Sequence, residues 1–551
     1  MTSERPWRRT HLAVPRADET LLAIPELDAA AESARANAGQ FDDATIDLQG
    51  RPFDRVRLWA RAEAVQLAKV FTGGALGDPA ADADPTAPLV IPGHQPALYH
   101  PGVWAKNFAA AGIAKRLGGA ALNLIVDNDI YSRPAIDLPA GTRDEPRRTA
   151  IAFDERQRAR PWENAFIQDI DLFASFGDRV AATMRPWNVE PLIAGRWRTA
   201  ECRRTLGADV PECLTAVRHA TEASWGLHNL ELRMSDLCES EPFLWVTGHL
   251  LAQLPRFVDV HNEVLAEYRR LYGLKSRNHP VPSLEERAEW LEAPFWVWRD
   301  DAPHRRRVFA KQAGNRTILA DDTGRQFAVL PLSPTMEACC AVEVLRTLPS
   351  QGIRLRTRAL TTTLFARLFL ADLFVHGIGG AKYDEMTDRI IARFFGIPAP
   401  DYATVSASLY LPFAQPFDDS PDDERRLVAL LRDLDQNPQR HLTRGFDPQI
   451  DRLLDEKAAL IAEQDAAHPA TISTRRQRRS RSSANALRFQ RLQEVTSRLA
   501  RFVAAQRDDV LQELAAVRRR LKADRILTSR EFSFVLYPEQ KLRPFLVGLT
   551  T

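Results

Sequence analysis

The sequence predicts an α/β protein with a parallel-sheet core, inserted helical and antiparallel β pieces, and a C-terminal antiparallel coiled-coil hairpin. Three observations support this prediction. A strand, a polar loop, a helix and a second strand follow one another within residues 88–132, the pattern of a βαβ unit. Short β-rich runs separated by polar turns lie between residues 295 and 330. Near the C-terminus, apolar residues recur at intervals of three and four, as they do in packed helices.

Length and composition limit the protein class. The chain has 551 residues, more than one hydrophobic core usually serves, so we expect two or three domains or one large core with appendages. Hydrophobic residues make up 45% and charged residues 26%, which excludes a fibrous or wholly disordered protein. The 74 basic and 72 acidic residues leave a net charge of +2, so we expect no general attraction to nucleic acid or membranes. The five cysteines form no CxxC pair and no ligand spacing, and they predict neither a disulfide framework nor a metal site.

The N-terminal sequence MTSERPWRRTHLAVP lacks the apolar region of a signal peptide. The most apolar window, TLFARLFLADLFVHGIGG, is interrupted by Arg367 and Asp372. We therefore expect a cytoplasmic protein without a membrane partner.

The first elements set up the predicted core. Residues 1–85 are expected to form a helical and extended segment that packs on it, with apolar positions at helical spacing in residues 54–72. PLVIPG, residues 88–93, is typical of a buried strand. WAKNFAAAGIAKRL, residues 104–117, predicts a helix closed by Gly118 and Gly119, and ALNLIVDNDIYS predicts a second strand. Because consecutive strands of a βαβ unit are parallel, their carboxyl ends meet at one edge, where ligands of open parallel sheets bind.

The predicted core domain runs from residue 86 to 446. Its middle is mostly helical over residues 234–273, and FWVWR, RVFAK and QFAVL predict a small antiparallel sheet. After LRTRAL, a long apolar helix is expected to lead into the glycine-rich segment HGIGGAKYDEMTD, which would join it to another helix. TVSASLYLPF is strand-like.

The tail predicts a projecting arm over residues 447–526. Helices are expected over 449–466 and from 484 to about 526, and the second would be roughly 60 Å long. The connecting TRRQRRSRSS run has the composition of an RNA-binding arm, but its position between two helices also fits a solvated turn, and nucleic acid is not the expected partner. Residues 527–551 are apolar again and are expected to return to the core.

The loop after the first predicted strand, GHQPALYHPGVWAKNF, supplies most candidate site residues. Histidine in such a turn can bind a phosphate or carboxylate or act as an acid or base, whereas the structural alternative is a loop cap. A lysine and an amide early in the next helix can reach an anionic ligand at the sheet edge. The candidates here are Gly93, His94, Gln95, Tyr99, His100, Lys106 and Asn107.

Two further segments supply candidates. Asp127, Asn128 and Asp129 follow the second strand, where carboxylates can bind a ribose, a metal or an amine, or merely form an Asx turn. The glycines of HGIGGAKYDEMTD allow close approach of backbone to ligand, although helix-ending glycines look the same. The candidates from this region are Arg358, Gly379, Gly380, Lys382, Tyr383 and Glu385.

The order of these clusters resembles the bacillithiol biosynthesis cysteine-adding enzymes. Those proteins have a Gly-Gln/His-Gln stretch running through an aromatic and a proline to a helix lysine, an apolar strand ending in acidic residues, an arginine-bearing strand with a glycine-rich turn, and a terminal coiled coil. The corresponding residues here are Gly93, His94, Gln95, Tyr99, Pro101, Lys106, the LIVDND segment, and RLRTRALTTTLFARLFLADLFVHGIGGAKYDE.

The resemblance implies a Rossmann-like core, a ligase that joins cysteine to the amine of an amino sugar in low-molecular-weight thiol biosynthesis, and a nucleotide such as ATP or ADP as cofactor. His94, Gln95, Asp127 and Asp129 are the implied catalytic residues. Asn128 stands where the family usually has histidine. The alternative is therefore a non-catalytic scaffold of the same fold that binds a partner through its coiled coil. The cofactor is not determined by the residues, and a homodimer is compatible with them.

Overall fold

The computed structural model describes residues 7, 12–41, 44–79, 81–274, 281–413, 416–466 and 475–551. Most of the N-terminal residues 1–11 and the side chains of the arginine run lie outside the described residues, so the predictions for them stay predictions. The first third of the chain contains β1 (Thr20–Ile24), α1 (Leu27–Gly39), α2 (Phe53–Val70), β2 (Leu89–His94), α3 (Pro101–Leu117), β3 (Ala120–Ile125), β4 (Ile130–Tyr131), β5 (Ala135–Gly141), β6 (Pro146–Ala152), β7 (Arg160–Pro161), α4 (Ile170–Ala174) and α5 (Phe176–Met184).

The middle third contains α6 (Ile193–Thr205), α7 (Val210–Ser224), β8 (Leu230–Arg233), α8 (Met234–Glu239), α9 (Glu241–Ala252), α10 (Leu254–Leu271), β9 (Glu286–Arg287), β10 (Trp290–Arg299), β11 (Ala302–Ala313), β12 (Arg316–Asp321), β13 (Gln326–Leu330), α11 (Cys339–Arg346), β14 (Ile353–Thr357) and α12 (Ala359–Phe365). The last third contains β15 (Leu373–His376), α13 (Ile378–Ile390), β16 (Tyr402–Ser408), α14 (Pro421–Gln436), α15 (Pro448–Ala466), α16 (Arg475–Ala500), α17 (Ala504–Leu527) and α18 (Glu539–Val547).

The main sheet has six strands in the order β1-β16-β15-β2-β3-β8. β1 pairs antiparallel with β16, and every other neighbouring pair is parallel. The sheet therefore grows from β2 towards β3 and β8 on one side and, after a long excursion of the chain, towards β15 and β16 on the other. The direction of growth reverses between β2 and β15, which leaves a crevice at their carboxyl ends.

The β2–α3–β3 unit is confirmed. β2 and β3 pair in parallel, with His94 opposite Ile125. α3 begins at Pro101, whose missing N–H is not needed in the first turn, and His100 caps that turn by accepting a hydrogen bond from the Gly102 amide. The helix ends at Gly118 in the left-handed conformation, φ 66°, as the sequence predicts. Both polar loops therefore leave the same edge of the sheet.

The predicted antiparallel sheet is also confirmed. β10, β11, β12 and β13 follow one another as antiparallel neighbours, and β14 pairs with the other side of β10. β14 contains the arginine-bearing sequence IRLRT and delivers the chain into α12.

One predicted helix is wrong in its second half. The apolar helix after β14 ends at Leu370, and the following LFVH becomes β15, a fully buried strand between β2 and β16. The glycine-rich segment therefore joins a strand to a helix, rather than a helix to a helix. This places it in the crevice beside the loop of β2.

The chain divides into two compact units: Met1–Ala140 with Arg148–Phe413 and Arg530–Thr551, and Gly141–Arg147 with Ala414–Ser529. The first unit has one large apolar core, which includes residues of β2, β3, α2, α9, α10 and β10. The second unit is mainly helical. Val495 and Leu499 of α16 pack with α15, whereas Val510, Leu514 and Val517 of α17 pack with α14. The second helix of the predicted hairpin is not continuous, because a 3-10 turn at Arg501–Val503 divides it into α16 and α17.

Among the described residues, no helix combines the length and the apolar character that crossing a membrane requires.

Candidate functional site

Two cavities lie at the carboxyl edge of the main sheet. The smaller, about 410 Å³, is lined by the ends of β2 and β15 and by the first turns of α3 and α13. The larger, about 630 Å³, lies against the loop after β3, α10, β10 and α12. Four of the lining residues are common to both cavities, so the cavities adjoin. These are Gln95, Val126, Ala359 and Thr362. Two ligands bound in the cavities would meet at this shared wall.

The smaller cavity carries cations and neutral polar groups without carboxylates. Its lining includes the side chains of Lys106 and Arg530 and three histidines, His94, His100 and His376. Over the described ranges of the chain, neither an aspartate nor a glutamate lines it. With two basic side chains and no carboxylate among the described residues, such a lining attracts an anion.

Lys106 is the central cation of this cavity. Its side chain is buried on the second turn of α3, and Nζ donates a hydrogen bond of 2.7 Å to the Gly93 carbonyl at the end of β2. Burial lowers the pKa of Lys106 to about 7, because the ammonium loses its hydration without gaining an ion-pair partner. An anion bound beside Nζ would supply that partner and raise the pKa again. Lys106 can therefore both bind an anion and exchange a proton near neutral pH.

The two predicted histidines are neutral groups in this setting. Burial, and next the charge of Lys106, lower the pKa of His94 to about 3, and burial and Arg530 lower that of His100 to about 3. His94 packs edge-on against Tyr99, at 4.9 Å between ring centroids. His100 caps α3 and lies 3.3 Å from the Arg530 guanidinium. The lowered pKa values leave both rings neutral in the unliganded protein, where they act as hydrogen-bonding groups.

The first turn of α13 forms the opposite wall of the cavity. Its backbone N–H groups precede the first intrahelical hydrogen bond, which Ala381 donates to the Gly377 carbonyl. A Cβ built at Gly379 meets nothing within 4 Å, whereas one built at Gly380 would lie 2.9 Å from His376 Nδ1. Glycine at 379 thus leaves room for a ligand at a helix N-terminus, and glycine at 380 lets the helix approach the histidine.

The larger cavity has a polar wall built around Asp129. Gln95 Nε2 donates to Asp129 Oδ2 at 2.8 Å, and Arg305 donates to Oδ1 at 3.0 Å, so Gln95 links the two cavities. Asn128 donates to the Thr357 carbonyl at 3.0 Å and also lines this cavity. The guanidinium of Arg358 forms an ion pair with Glu292 and stacks over Trp296, 4.3 Å from the ring centroid.

Asp127 does not line either cavity. Its carboxylate is buried and accepts hydrogen bonds from the backbone and hydroxyl of Ser235 at the start of α8. Burial, and next the charge of Glu163, raise its pKa to about 8. Residues 127–129 form a turn after β3, in which Asp127 bonds the start of α8 while Asn128 and Asp129 line the larger cavity. The expectation that Asp127 contacts a ligand is not supported by this geometry.

Other candidates also face away from the cavities. Asn107 donates to Glu222 Oε1 at 2.8 Å in the interior. Lys382 is exposed on α13, Tyr383 packs on the apolar core, and Glu385 accepts a hydrogen bond of 2.8 Å from the Tyr272 hydroxyl. None of these side chains lines either cavity, so the structure separates them from Gly379 and Gly380.

A buried ion network lies behind α3. Arg218 bonds both Glu222 and Glu231, and His219 bridges Glu231 and Asp78. His219, Glu222 and Glu231 are close enough to hold a metal ion. The guanidinium of Arg218 already supplies the compensating charge there, which marks the cluster as an internal ion network.

Several residues of the cavities are absent from the predicted set, among them three basic side chains. His376 ends β15, Arg305 comes from β11, and Arg530 comes from the C-terminal segment. Of these three, only His376 could have been identified from the sequence, because it lies between an apolar run and a glycine-rich segment.

No protein-family model matches the chain, and no curated protein matches it either.

Proposed function

We propose that this protein is an enzyme that joins an amino acid to an amine through an amide bond, and that the smaller cavity binds the anionic, phosphate-bearing part of one reactant. One observation carries the proposal: the two cavities share a wall at the reversal point of the sheet. Two reactants held on either side of Gln95 would be brought within reach of each other, which converts a bimolecular step into a local one.

The chemistry of the smaller cavity supports the anion. Lys106 provides a desolvated cation, and the first turn of α13 provides backbone N–H groups. Amide formation passes through a tetrahedral oxyanion, which such donors stabilise. The phosphates of a nucleotide such as ATP would satisfy both sets of donors, and Gly379 leaves the space for them.

The larger cavity suits an amine-bearing reactant. Asp129 presents a carboxylate held by Gln95 and Arg305, and Trp296, over which the Arg358 guanidinium stacks, lines the same cavity. We propose an amino acid and an amino sugar as the reactant classes, in line with the resemblance to cysteine-adding enzymes of thiol biosynthesis.

We infer the finer architecture in the same way. Counted in chain order, the parallel strands read 5-4-1-2-3 across the sheet, which supports a Rossmann-like core with its ligand at the reversal point. The pairing of α15 with α16 supports an antiparallel coiled-coil arm.

Binding of inorganic pyrophosphate and ATP tests the anion site by isothermal titration calorimetry. The variant Lys106→Met should lose about 10- to 100-fold in affinity, since a hydrogen bond to a charged group contributes about 1.5–3 kcal/mol. Lys115→Met is the matched control, because Lys115 is exposed on the same helix. Absence of binding to the wild type, or equal loss in both variants, would refute the anion site.

Turnover tests the reaction. Wild-type protein incubated with ATP, cysteine and a panel of amino sugars should yield a product whose mass equals that of the two reactants minus one water. Binding of ATP without any such product would favour the alternative of a non-catalytic scaffold.

A further inference from the structure

His376 is held in one orientation at the edge of the smaller cavity. It is the last residue of β15, and its side chain lines the cavity while being 4% exposed overall. Its Nε2 lies 2.9 Å from Oδ2 of Asp384, one turn and a half into α13. Asp384 is 1% exposed and also pairs with the buried guanidinium of Arg367.

This arrangement fixes the tautomer of His376. Burial alone would raise the pKa of Asp384, but the charge of Arg367 brings it well below its usual range. An ionised carboxylate only accepts hydrogen bonds, so Nε2 must carry the hydrogen. Nδ1 of the neutral ring then carries the lone pair.

The lone pair is directed towards the first turn of α13. A Cβ at Gly380 would lie 2.9 Å from Nδ1, so glycine is the residue that keeps this nitrogen uncovered. Within the described part of the chain, Nδ1 has no hydrogen-bond partner. Nδ1 is not one of the buried side-chain atoms that lack a partner, so it is accessible from the cavity that His376 lines.

We propose that His376 is the general base of the site and that Asp384 is its positioning residue. The inference rests on the proposed function, because it assigns the proton acceptor for the amine in that reaction. The substrate class is a primary amine that attacks an acyl group activated as an acyl phosphate or similar ester.

The amine lone pair attacks the acyl carbon and forms the C–N bond, and the C–O bond to the phosphate leaving group breaks with its electron pair. The proton lost by the nitrogen moves to Nδ1 of His376. The imidazolium is stabilised by Asp384, which keeps its own negative charge. Charged and titratable neighbours around this proton are Arg367 and Asp388 behind the ring and Lys106 and His94 on the cavity lining.

His376→Gln tests the loss of the base separately from any loss of folding. The glutamine amide can still donate to Asp384, but it offers no basic nitrogen. We expect kcat for amide formation to fall 100- to 10,000-fold, the range of general-base catalysis, while pyrophosphate affinity changes less than threefold. His249→Gln is the matched control, because His249 is a buried histidine of the same unit that lines neither cavity. It should leave kcat unchanged.

A second measurement does not depend on turnover. In ¹⁵N-labelled protein, the His376 ring should give the Nε2–H tautomer, and its Nδ1 resonance should shift when pyrophosphate saturates the cavity. Asp384→Asn should weaken that tautomer preference.

The outcomes separate the two proposals. If the wild type forms no amide with any reactant pair but His376 shows the Nε2–H tautomer and responds to pyrophosphate, the proposed function falls and the assigned base position stands. If His376 carries its hydrogen on Nδ1 or ignores pyrophosphate, the inference is overturned. It is also overturned if the wild type turns over and His376→Gln retains full kcat.

Discussion

Replacing the buried lysine of the smaller cavity should stabilise the protein at neutral pH. Lys106 has a pKa of about 7 when folded and an ordinary value of 10.5 when unfolded. At pH 7 the unfolded chain therefore binds more protons, which favours unfolding by about 4 kcal/mol relative to a pH at which both forms are neutral. Lys106→Met removes this contribution and keeps the side-chain volume similar.

The substitution also removes one interaction. The hydrogen bond from Nζ to the Gly93 carbonyl contributes about 1 kcal/mol net. The variant should therefore be more stable than the wild type by about 3 kcal/mol at pH 7. The sign is set by the lowered pKa: the wild type gains stability as pH rises from 7 to 10.5, whereas the variant does not. The two curves should cross near pH 10, where the remaining proton-linked cost falls to about 1 kcal/mol.

Urea unfolding followed by tryptophan fluorescence measures this directly. All eleven tryptophans lie in the larger unit, so their emission reports its unfolding alone. The free energy of unfolding would be measured between pH 7 and pH 10.5 for the wild type, Lys106→Met and the exposed control Lys115→Met. The reasoning is refuted if Lys106→Met is less stable than the wild type at pH 7, or if the difference does not shrink with rising pH.

Pyrophosphate binding at pH 8 should take up nearly one proton through Lys106; calorimetry in buffers of different ionisation enthalpy measures this, and equal heats in all buffers would contradict it. Gly379→Val should fill the open space at the start of α13 and weaken pyrophosphate binding at least tenfold, and undiminished affinity in the titration would place the anion elsewhere. Asp127→Asn should keep an acceptor for the Ser235 amide and hydroxyl while removing a buried carboxyl whose pKa of about 8 costs stability at pH 7, so it should not destabilise the larger unit. It should leave pyrophosphate affinity unchanged, and a loss of affinity without loss of stability would return Asp127 to the site.

The parts of the fold that follow local rules could be predicted from the sequence. PLVIPG and ALNLIV are apolar runs bounded by turn residues, and Gly118 supplies a conformation that other residues avoid, so β2, α3 and β3 are recognisable. β15 is different. Its four residues are buried on both faces and directly follow an apolar helix, and periodicity cannot distinguish a buried strand from a buried helix over so short a run.

The same distinction applies to the site. Gly93, His94, Gln95 and Lys106 lie close together along the chain, and one βαβ unit is enough to bring them to the sheet edge. Arg530 lies more than 400 residues later and meets His100 only through the tertiary fold. Residues that lie close together in the sequence can also face different parts of the structure. Asp127 and Asp129 look alike in the sequence, but the first binds α8 and the second faces the cavity, because the local backbone direction decides which way each side chain points.

The smaller cavity has an uncompensated cation because the nearby carboxylates are already bonded by other side chains. Asp129 is bonded by Arg305 and Gln95, and Asp384 is bonded by Arg367 and His376. Because these carboxylates are already bonded by other side chains, they do not compensate Lys106, whose ammonium donates to the Gly93 carbonyl instead. A buried cation in that position costs stability in the free protein and is stabilised when an anion enters. The predicted gain in stability on removing Lys106 and the predicted loss of anion binding are thus two consequences of one missing ion-pair partner.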